Sequence, residues 1–293
     1  VVAASLAAPD GAPLAGLGLA AAGFVDASGE HVMFAPHLPW RGEPVRRLLA
    51  DRLRAPVVMD NDANCAALAE WAYGAARGTG SALVITLGTG IGGAIVLDGS
   101  VVRGTNGMAG EFGHMKVVPD GQPCPCGGRG CWEQYSSGNA LVRFARERLG
   151  REPSTLETAC AGDPAALTGP MVTAAAEDGD LVARQTFATV GDWLGVGVAN
   201  LVAAFDPELV VVGGGVSAAG DRLLAPARTA LVRSLVGAGQ RVVPPIVPAL
   251  LGHEAGLVGA AALARSLAQP GGGYKRAPSS PGSRGPRGIS STR

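Results

Sequence analysis

One histidine and three cysteines follow one another in a short segment of this chain at the spacing of a metal site. They are His114, Cys124, Cys126 and Cys131. Three thiolates and one imidazole complete a tetrahedral zinc shell and leave no position for water, so the pattern predicts a structural zinc site rather than Lewis-acid catalysis. The alternatives are a disulfide or ordinary buried thiols. Zinc would hold this segment as a rigid loop, in which glycines allow the tight turns.

Two glutamates extend this segment into a longer motif. The sequence reads Glu111-x-Gly113-His114 and then Cys124-x-Cys126-Gly127-x-x-Gly130-Cys131-x-Glu133. The motif resembles that of the ROK family (repressors, open reading frames and sugar kinases), most closely its actinobacterial-type glucokinases. The resemblance implies an α/β protein with the two-lobed, actin-like ATPase (ribonuclease H-like) fold. It also implies an ATP-dependent hexose kinase of glycolysis that phosphorylates the 6-hydroxyl of glucose, with ATP, Mg²⁺ and structural Zn²⁺.

The resemblance divides the chain into two lobes and a tail, as its length also suggests. Residues 1–72 would form a partial N-terminal lobe completed by a helix at 254–268, and residues 73–253 a C-terminal lobe with the zinc loop and the nucleotide turns. The family opens with a strand and an Asp-x-Gly-Gly-Thr turn that holds the phosphates, and the given sequence starts after that point. We therefore expect the N-terminal lobe to be incomplete.

A strand followed by a helix carries a candidate catalytic carboxylate. The apolar residues 57–59 predict a strand that leads into Asp60, Asn61 and Asp62, and residues 66–76 predict a helix. Asp60 or Asp62 could cap that helix. Alternatively, Asp62 could take a proton from a hydroxyl during phosphoryl transfer, and the helix N-terminus would keep it ionised. The residues alone favour the cap.

The resemblance changes that preference and assigns a sugar site. It implies that Asp62 is the catalytic base and that the sugar hydroxyls are bound by Asn61, Glu111, His114 and Glu133. Sugar binding by His114 is compatible with zinc binding, because one ring nitrogen can bind the metal while the other donates to the ligand. Without the resemblance, the two glutamates would be interpreted as surface charges. His37 departs from the pattern of the family, since relatives commonly carry Asn at this position.

Two glycine-rich turns are candidates for nucleotide binding. Gly88-x-Gly90-x-x-Gly93 matches the dinucleotide-binding fingerprint, but that fingerprint requires a following helix, and here a second strand follows. The segment therefore predicts a hairpin, with or without a ligand, whose turn can aim backbone amides at phosphates. The second turn follows a predicted strand at 209–212. The resemblance implies that both turns hold ATP, through Gly88, Thr89, Gly90, Gly92, Gly213, Gly214 and Gly215.

Apolar patterning predicts further elements. Residues 17–21 form an apolar run typical of a buried strand, residues 185–204 predict a long apolar helix, and residues 255–267 predict a last helix. No apolar run is expected to approach the length that spans a bilayer. Residues 269–293 are rich in Pro, Gly, Ser and Arg, so we expect a disordered basic tail. A basic interaction arm is the alternative.

The charge balance and the cysteine pattern indicate which partners and which compartment to expect. The chain has 24 basic and 24 acidic residues, and five of the basic residues but none of the acidic ones lie in the tail, which leaves 19 basic against 24 acidic in the body. A mildly acidic body argues against a nucleic-acid groove. Clustered thiols in a metal pattern suit a reducing cytosol, so we expect a cytoplasmic protein without nucleic-acid or membrane partners.

A second function class stays open at this stage. Because the first phosphate-binding turn is absent from the given sequence, a non-catalytic sugar-binding or regulatory protein of the same fold is the alternative to a kinase. The expected partners are glucose or a related hexose and ATP. The expected assembly is a homo-oligomer, either a dimer or a tetramer.

Overall fold

The computed structural model describes residues 14–35 and 39–267. His37 and the predicted tail at 269–293 lie outside these residues. The strands are β1 (Leu17–Ala21), β2 (Phe24–Val25), β3 (Val32–Phe34), β4 (Val57–Asn61), β5 (Ser81–Leu87), β6 (Ile91–Leu97), β7 (Ser100–Val101), β8 (Leu209–Gly213) and β9 (Ile246–Pro248). The helices are α1 (Val45–Leu53), α2 (Asp62–Tyr73), α3 (Gly138–Arg148), α4 (Leu156–Ala159), α5 (Gly169–Glu177), α6 (Leu181–Phe205), α7 (Asp221–Ser234) and α8 (Ala255–Leu267).

The largest sheet has five strands in the order β7-β6-β5-β8-β9. β5, β6 and β7 form an antiparallel meander, whereas β8 and β9 run parallel to β5. Parallel neighbours need crossover connections, and helices provide them here, since α7 lies between β8 and β9. The carboxyl ends of β5 and β8 therefore lie side by side, with Thr86 opposite Gly213.

A smaller parallel sheet carries the predicted catalytic segment. β1 pairs with β4 from Leu17 opposite Val57 to Ala21 opposite Asn61, and α1 connects the two strands. The strands β2 and β3 form a separate antiparallel ribbon just after β1. The ends of β1 and β4 consequently share one edge, which is the place where open α/β sheets bind ligands.

The helix α8 fixes the position of α2 through close backbone contact. A Cβ atom added to Gly259 would lie 1.8 Å from the carbonyl oxygen of Cys65 in α2, and one added to Gly18 of β1 would lie 1.8 Å from the carbonyl oxygen of Ala260. Only glycine permits such an approach. The last helix thus packs directly against the helix that follows the predicted catalytic residue.

This contact gives a stability prediction with a control in the same helix. Gly259→Ala is expected to destabilise the protein by about 1–3 kcal/mol, because the added methyl group overlaps the α2 backbone. At Gly256 the nearest atoms to an added Cβ lie 3.9 and 4.0 Å away. Gly256→Ala should therefore stabilise by up to about 1 kcal/mol through helix propensity. Urea unfolding measures both, and equal midpoints for the two variants would contradict this packing.

The main core lies between the five-stranded sheet and the helices α3, α5, α6 and α7. Within the described residues, α6 alone is long and apolar enough to cross a membrane, so the expectation that no apolar run approaches this length is wrong by that criterion. However, 56% of that stretch is buried, and Phe187, Leu194 and Val198 are fully buried in the core. A buried core helix can be as long and as apolar as a membrane-spanning helix, so length and composition alone do not distinguish the two.

Candidate functional site

The junction between β4 and α2 is held by the side chain of Asn61. Its Oδ1 accepts hydrogen bonds from the backbone amides of Ala63 at 2.8 Å and Asn64 at 3.2 Å, and its Nδ2 donates to the carbonyl oxygen of Gly23 at 3.1 Å. Asn61 is therefore the N-cap of α2, and the alternative in which Asp60 or Asp62 is the cap is wrong. The helix also begins four residues earlier than predicted, so Asp62 is its first residue.

Asp60 has a structural role instead. It is buried, and its Oδ1 accepts hydrogen bonds from the amide of Asn61 at 2.8 Å and from Nδ2 of Asn64 at 2.9 Å. Its Oδ2 accepts two hydrogen bonds from Arg103, one from Nε at 2.8 Å and one from Nη2. Arg103 follows β7 of the larger sheet, so this ion pair joins the end of β4 to that sheet.

Asp62 is exposed toward a cleft, although protein surrounds it on its other sides. Its Oδ1 accepts a hydrogen bond from the Ala63 amide at 2.9 Å. Burial raises the pKa of Asp62 above its usual value, and hydrogen bonds from the backbone and from Asn61 only partly oppose this shift. The backbone amides at the helix terminus thus favour the ionised form of Asp62, as predicted, but burial has the larger effect on its pKa. A raised pKa makes the carboxylate a better proton acceptor.

The cleft in front of Asp62 has a volume of about 270 Å³. One end is formed by the junction residues Asn61 and Asp62, and the opposite side by the predicted sugar ligands and by the first glycine turn. The lining includes Gly23, Phe24, Asn61, Asp62, Thr86, Gly88, Gly90, Gly92, Glu111, His114 and Glu133. The structure therefore brings all five predicted sugar-site residues into one cleft.

Three carboxyl groups, Asp62, Glu111 and Glu133, line this cleft. Burial, followed by the negative charges of Asp62 and Glu133, raises the pKa of Glu111 to about 7. Near neutral pH, Glu111 is consequently divided between its protonated and ionised forms. Carboxyl groups in a cleft with raised pKa values, as for Asp62 and Glu111, are typical of functional sites.

The predicted metal ligands converge as a group. The sulfur atoms of Cys124, Cys126 and Cys131 and a ring nitrogen of His114 all lie within 4.8 Å of one another. Cys126 Sγ lies 3.6 Å from Cys131 Sγ, and Cys124 Sγ lies 3.8 Å from His114 Nδ1. Tetrahedral zinc, with Zn–S about 2.3 Å and Zn–N about 2.0 Å, separates these atom pairs by about 3.8 Å and about 3.5 Å. The donor set fits zinc.

The cluster is connected directly to the cleft. Glu133 Oε1 lies 3.0 Å from Cys124 Sγ and 3.7 Å from His114 Nδ1. On the other side, Lys116 Nζ lies 2.9 Å from Cys131 Sγ. The positive charge of Lys116 suits a centre in which three thiolates exceed the charge of one divalent ion. The ring of His114 thus has Nδ1 at the thiols and leaves Nε2 for the cleft.

The two glycine turns meet at the carboxyl ends of β5 and β8. The first connects β5 and β6 as the predicted hairpin, and the Gly88 amide donates to the carbonyl oxygen of Gly90 at 3.0 Å. Gly214 has a φ of +86°, and an added Cβ would lie 2.4 Å from the carbonyl oxygen of Leu87. The second turn therefore packs directly against the first, which lines the cleft through Gly88, Gly90 and Gly92. The predicted nucleotide residues Thr89 and Gly213–Gly215 are not among the residues that line the cleft.

Sequence reasoning missed part of the cleft wall. Gly23 and Phe24 follow β1 and line the cleft, as does Thr86 near the end of β5. Gly23 follows the first predicted strand and Asn61 ends β4, so the parallel pairing of β1 with β4 brings them together. The available signal was the position of Gly23 at a strand end, because that edge of a sheet is where ligands bind.

Comparisons with known proteins agree with this geometry. The model of the ROK family matches residues 5–267. A glucokinase of Streptomyces coelicolor is 44% identical over 258 residues, which cover 87% of this chain and 81% of that protein. A glucokinase of Halalkalibacterium halodurans is 40% identical over 252 residues, which cover 84% of this chain and 74% of that protein.

A solved structure extends the similarity to the fold. The crystal structure of a ROK family glucokinase from Streptomyces griseus in complex with glucose and AMPPNP matches with a TM-score of 0.82 and 44% identity, over 87% of this chain and 83% of that one. The sequence prediction of an α/β protein with the actin-like ATPase fold is thereby confirmed.

Proposed function

The chain belongs to the ROK family, and on that premise we propose that it is an ATP-dependent glucokinase that transfers the terminal phosphoryl group of ATP to the 6-hydroxyl of glucose. The observation that carries the proposal is the position of Asp62. This carboxylate lies in one cleft with Asn61, Glu111, His114 and Glu133 on the sugar side and with the Gly88 turn on the phosphate side. Glucokinases at 44% and 40% identity support the same activity.

The sugar is bound by a mixed set of donors and acceptors. The amide nitrogen of Asn61 has two N–H groups, one of which is used by the Gly23 carbonyl, so the other can donate to a sugar hydroxyl. Nε2 of His114 can supply a second donor, while Glu111 and Glu133 accept hydrogen bonds from hydroxyl groups. A hexose presents hydroxyls in both roles, so it satisfies this set more fully than an apolar ligand does.

The chemical step needs a base and a positive environment for the phosphates. Asp62 accepts the proton of the 6-hydroxyl as the sugar oxygen attacks the terminal phosphorus, and ADP leaves with the electron pair of the broken P–O bond. The turns at Gly88–Gly92 and Gly213–Gly215 place backbone amides and the Thr89 hydroxyl beside the phosphates and the adenosine. Mg²⁺, when bound, offsets negative charge on the transferring group.

Zinc has a structural role in this proposal. The four donors His114, Cys124, Cys126 and Cys131 would hold one ion, which cross-links the loop between Glu111 and Glu133 when bound. The protein residues do the rest, because the fixed His114 ring and the neighbouring Glu133 present their polar atoms to the sugar. The closely spaced donor atoms support this assignment.

The remaining predictions extend the same proposal. The division into residues 1–72 with the helix at 254–268 and residues 73–253 stays a prediction, and among the described residues it is supported by the packing of α8 on β1 and β4. Assembly as a dimer or tetramer, a cytoplasmic location and the lack of nucleic-acid or membrane partners stay predictions. None of the described contacts favours the non-catalytic alternative over the kinase.

Calorimetry tests whether both substrates bind. Glucose and the ATP analogue AMPPNP are each expected to bind with a stoichiometry of one per chain, and bound glucose should not prevent AMPPNP from binding. Glucose binding without any affinity for AMPPNP would favour a sugar-binding protein and contradict the kinase proposal.

The pKa of Glu111 predicts a pH dependence. Because that pKa is raised to about 7, Glu111 is mainly protonated at pH 6 and mainly ionised at pH 8. The ionised form accepts stronger hydrogen bonds from sugar hydroxyls, so kcat/KM for glucose should rise between pH 6 and pH 8. Glu111→Gln should lower kcat/KM at pH 8 by about 10- to 100-fold, the loss expected for one charged hydrogen bond, and should remove the rise near pH 7.

The matched control is Glu147→Gln, which changes an exposed glutamate that pairs with Arg143 on α3. Its pH profile should equal that of the unchanged protein. If the rise near pH 7 persisted in Glu111→Gln, another group would be responsible and the role of Glu111 would be wrong.

A further inference from the structure

A second cavity of about 450 Å³ opens from the sugar cleft on the side away from Asp62. It shares Phe24, Gly90, His114 and Glu133 with the cleft but does not include Asn61, Asp62 or Glu111. Its volume lies in the range of about 300–1,000 Å³ typical of small-molecule sites. A ligand that occupied both spaces would pass beside His114 and Glu133.

One wall of this cavity is aromatic. Phe24 and Phe34 face each other across the β2–β3 ribbon, with ring centroids 5.8 Å apart. The Phe34 side chain is 40% exposed, although such a large apolar group is normally buried. The Arg41 guanidinium lies 4.3 Å from the Phe34 ring centroid and steadies the ring. The ribbon thus presents two apolar rings to the cavity.

The opposite part of the lining is polar. It is formed by Thr89 in the first glycine turn, Gln134 beside the zinc loop and Asn139 in the first turn of α3. Within residues 14–35 and 39–267, the side-chain amides of Gln134 and Asn139 make no hydrogen bond. These two amides offer both donors and acceptors to a ligand.

We propose that this cavity is a subsite for a second pyranose ring, so that the enzyme accepts disaccharides with glucose at the non-reducing end. A pyranose has an apolar face, which matches the phenylalanine wall, and an edge of hydroxyl groups, which matches the free amides of Gln134 and Asn139. The inference rests on the proposed function, since that function places the 6-hydroxyl at Asp62. The subsite requires a pose in which the anomeric carbon faces Glu133 and the cavity while the free 6-hydroxyl lies at Asp62 for phosphorylation.

The test compares sugar binding with turnover. Titration calorimetry with glucose, cellobiose, maltose and N-acetylglucosamine should show at least one of the two disaccharides binding about tenfold more tightly than glucose. ADP release should show that the same disaccharide is phosphorylated. Phe34→Ala should remove the tenfold advantage and leave glucose binding unchanged, because Phe34 lines the second cavity and not the cleft.

The control is Met33→Ala, which removes an exposed side chain next to Phe34 that does not line the cavity and should preserve the advantage. Disaccharides that bind no better than glucose would overturn the subsite, even if glucose is turned over normally. Tighter binding of N-acetylglucosamine alone would also overturn it, in favour of an acyl pocket. Tight disaccharide binding without ADP release from any sugar would support the subsite and contradict the kinase.

Discussion

Asp62→Ala is expected to abolish glucose phosphorylation while the fold and the zinc content stay unchanged. Asp62 is the carboxylate at the cleft end of α2, and loss of a general base reduces turnover by about 10²- to 10⁴-fold. The helix should persist in the variant, because its N-cap is Asn61. The measurement is kcat for ADP release in the presence of glucose, together with zinc per chain by elemental analysis.

Asp62→Asn separates proton transfer from local structure. The amide can still accept the hydrogen bond from Ala63 but cannot take the proton of the 6-hydroxyl. We expect it to lose as much turnover as Asp62→Ala and to retain glucose binding. Asp192→Asn, which alters an exposed aspartate paired with Arg233 on α7, should be fully active. Wild-type turnover in Asp62→Asn would show that Asp62 is not the base.

Cys131→Ser is expected to remove zinc and with it most of the affinity for glucose. Cys131 is completely buried and lies 3.6 Å from Cys126 Sγ, so one lost thiolate leaves an incomplete tetrahedral shell. Zinc should fall from one ion per chain to nearly none. KM for glucose should rise by about 10- to 100-fold, because His114 and Glu133 lose their fixed positions.

The matched control is Cys160→Ser, since Cys160 is an equally buried thiol that belongs to the helical core and not to the zinc cluster. This variant should keep one zinc ion per chain and the normal KM. Cys131→Ser with full zinc content, or purified wild-type protein without any zinc, would contradict the metal assignment.

The sequence predicts those elements of the structure that are determined by residues close to one another in the chain. The first strand begins at Leu17 and the last helix spans 255–267, as predicted, because apolar runs and helical periodicity are properties of the segment itself. The four candidate metal ligands, which the structure brings together, were identified from their spacing for the same reason. The hairpin at Gly88 was distinguished from a dinucleotide fold because a strand, and not a helix, follows the turn.

The features that the sequence could not predict depend on distant partners. Asn and Asp are almost equally good N-caps, so only the contact with Gly23 and the pairing of Asp60 with Arg103 decide that Asn61 is the cap. Because those polar residues resemble a loop, the start of α2 was placed four positions too late. The wall formed by Phe24 and Phe34 has no sequence motif, since it exists only after β2 and β3 pair.

The most direct test of the central claim is ³¹P NMR of the purified chain mixed with ATP, Mg²⁺ and glucose. The account predicts a signal of glucose 6-phosphate that grows in equal amount with ADP. It also predicts no growth of either signal with Asp62→Asn. ATP that stays intact beside bound glucose, or a phosphate on any hydroxyl other than the one at carbon 6, would contradict it.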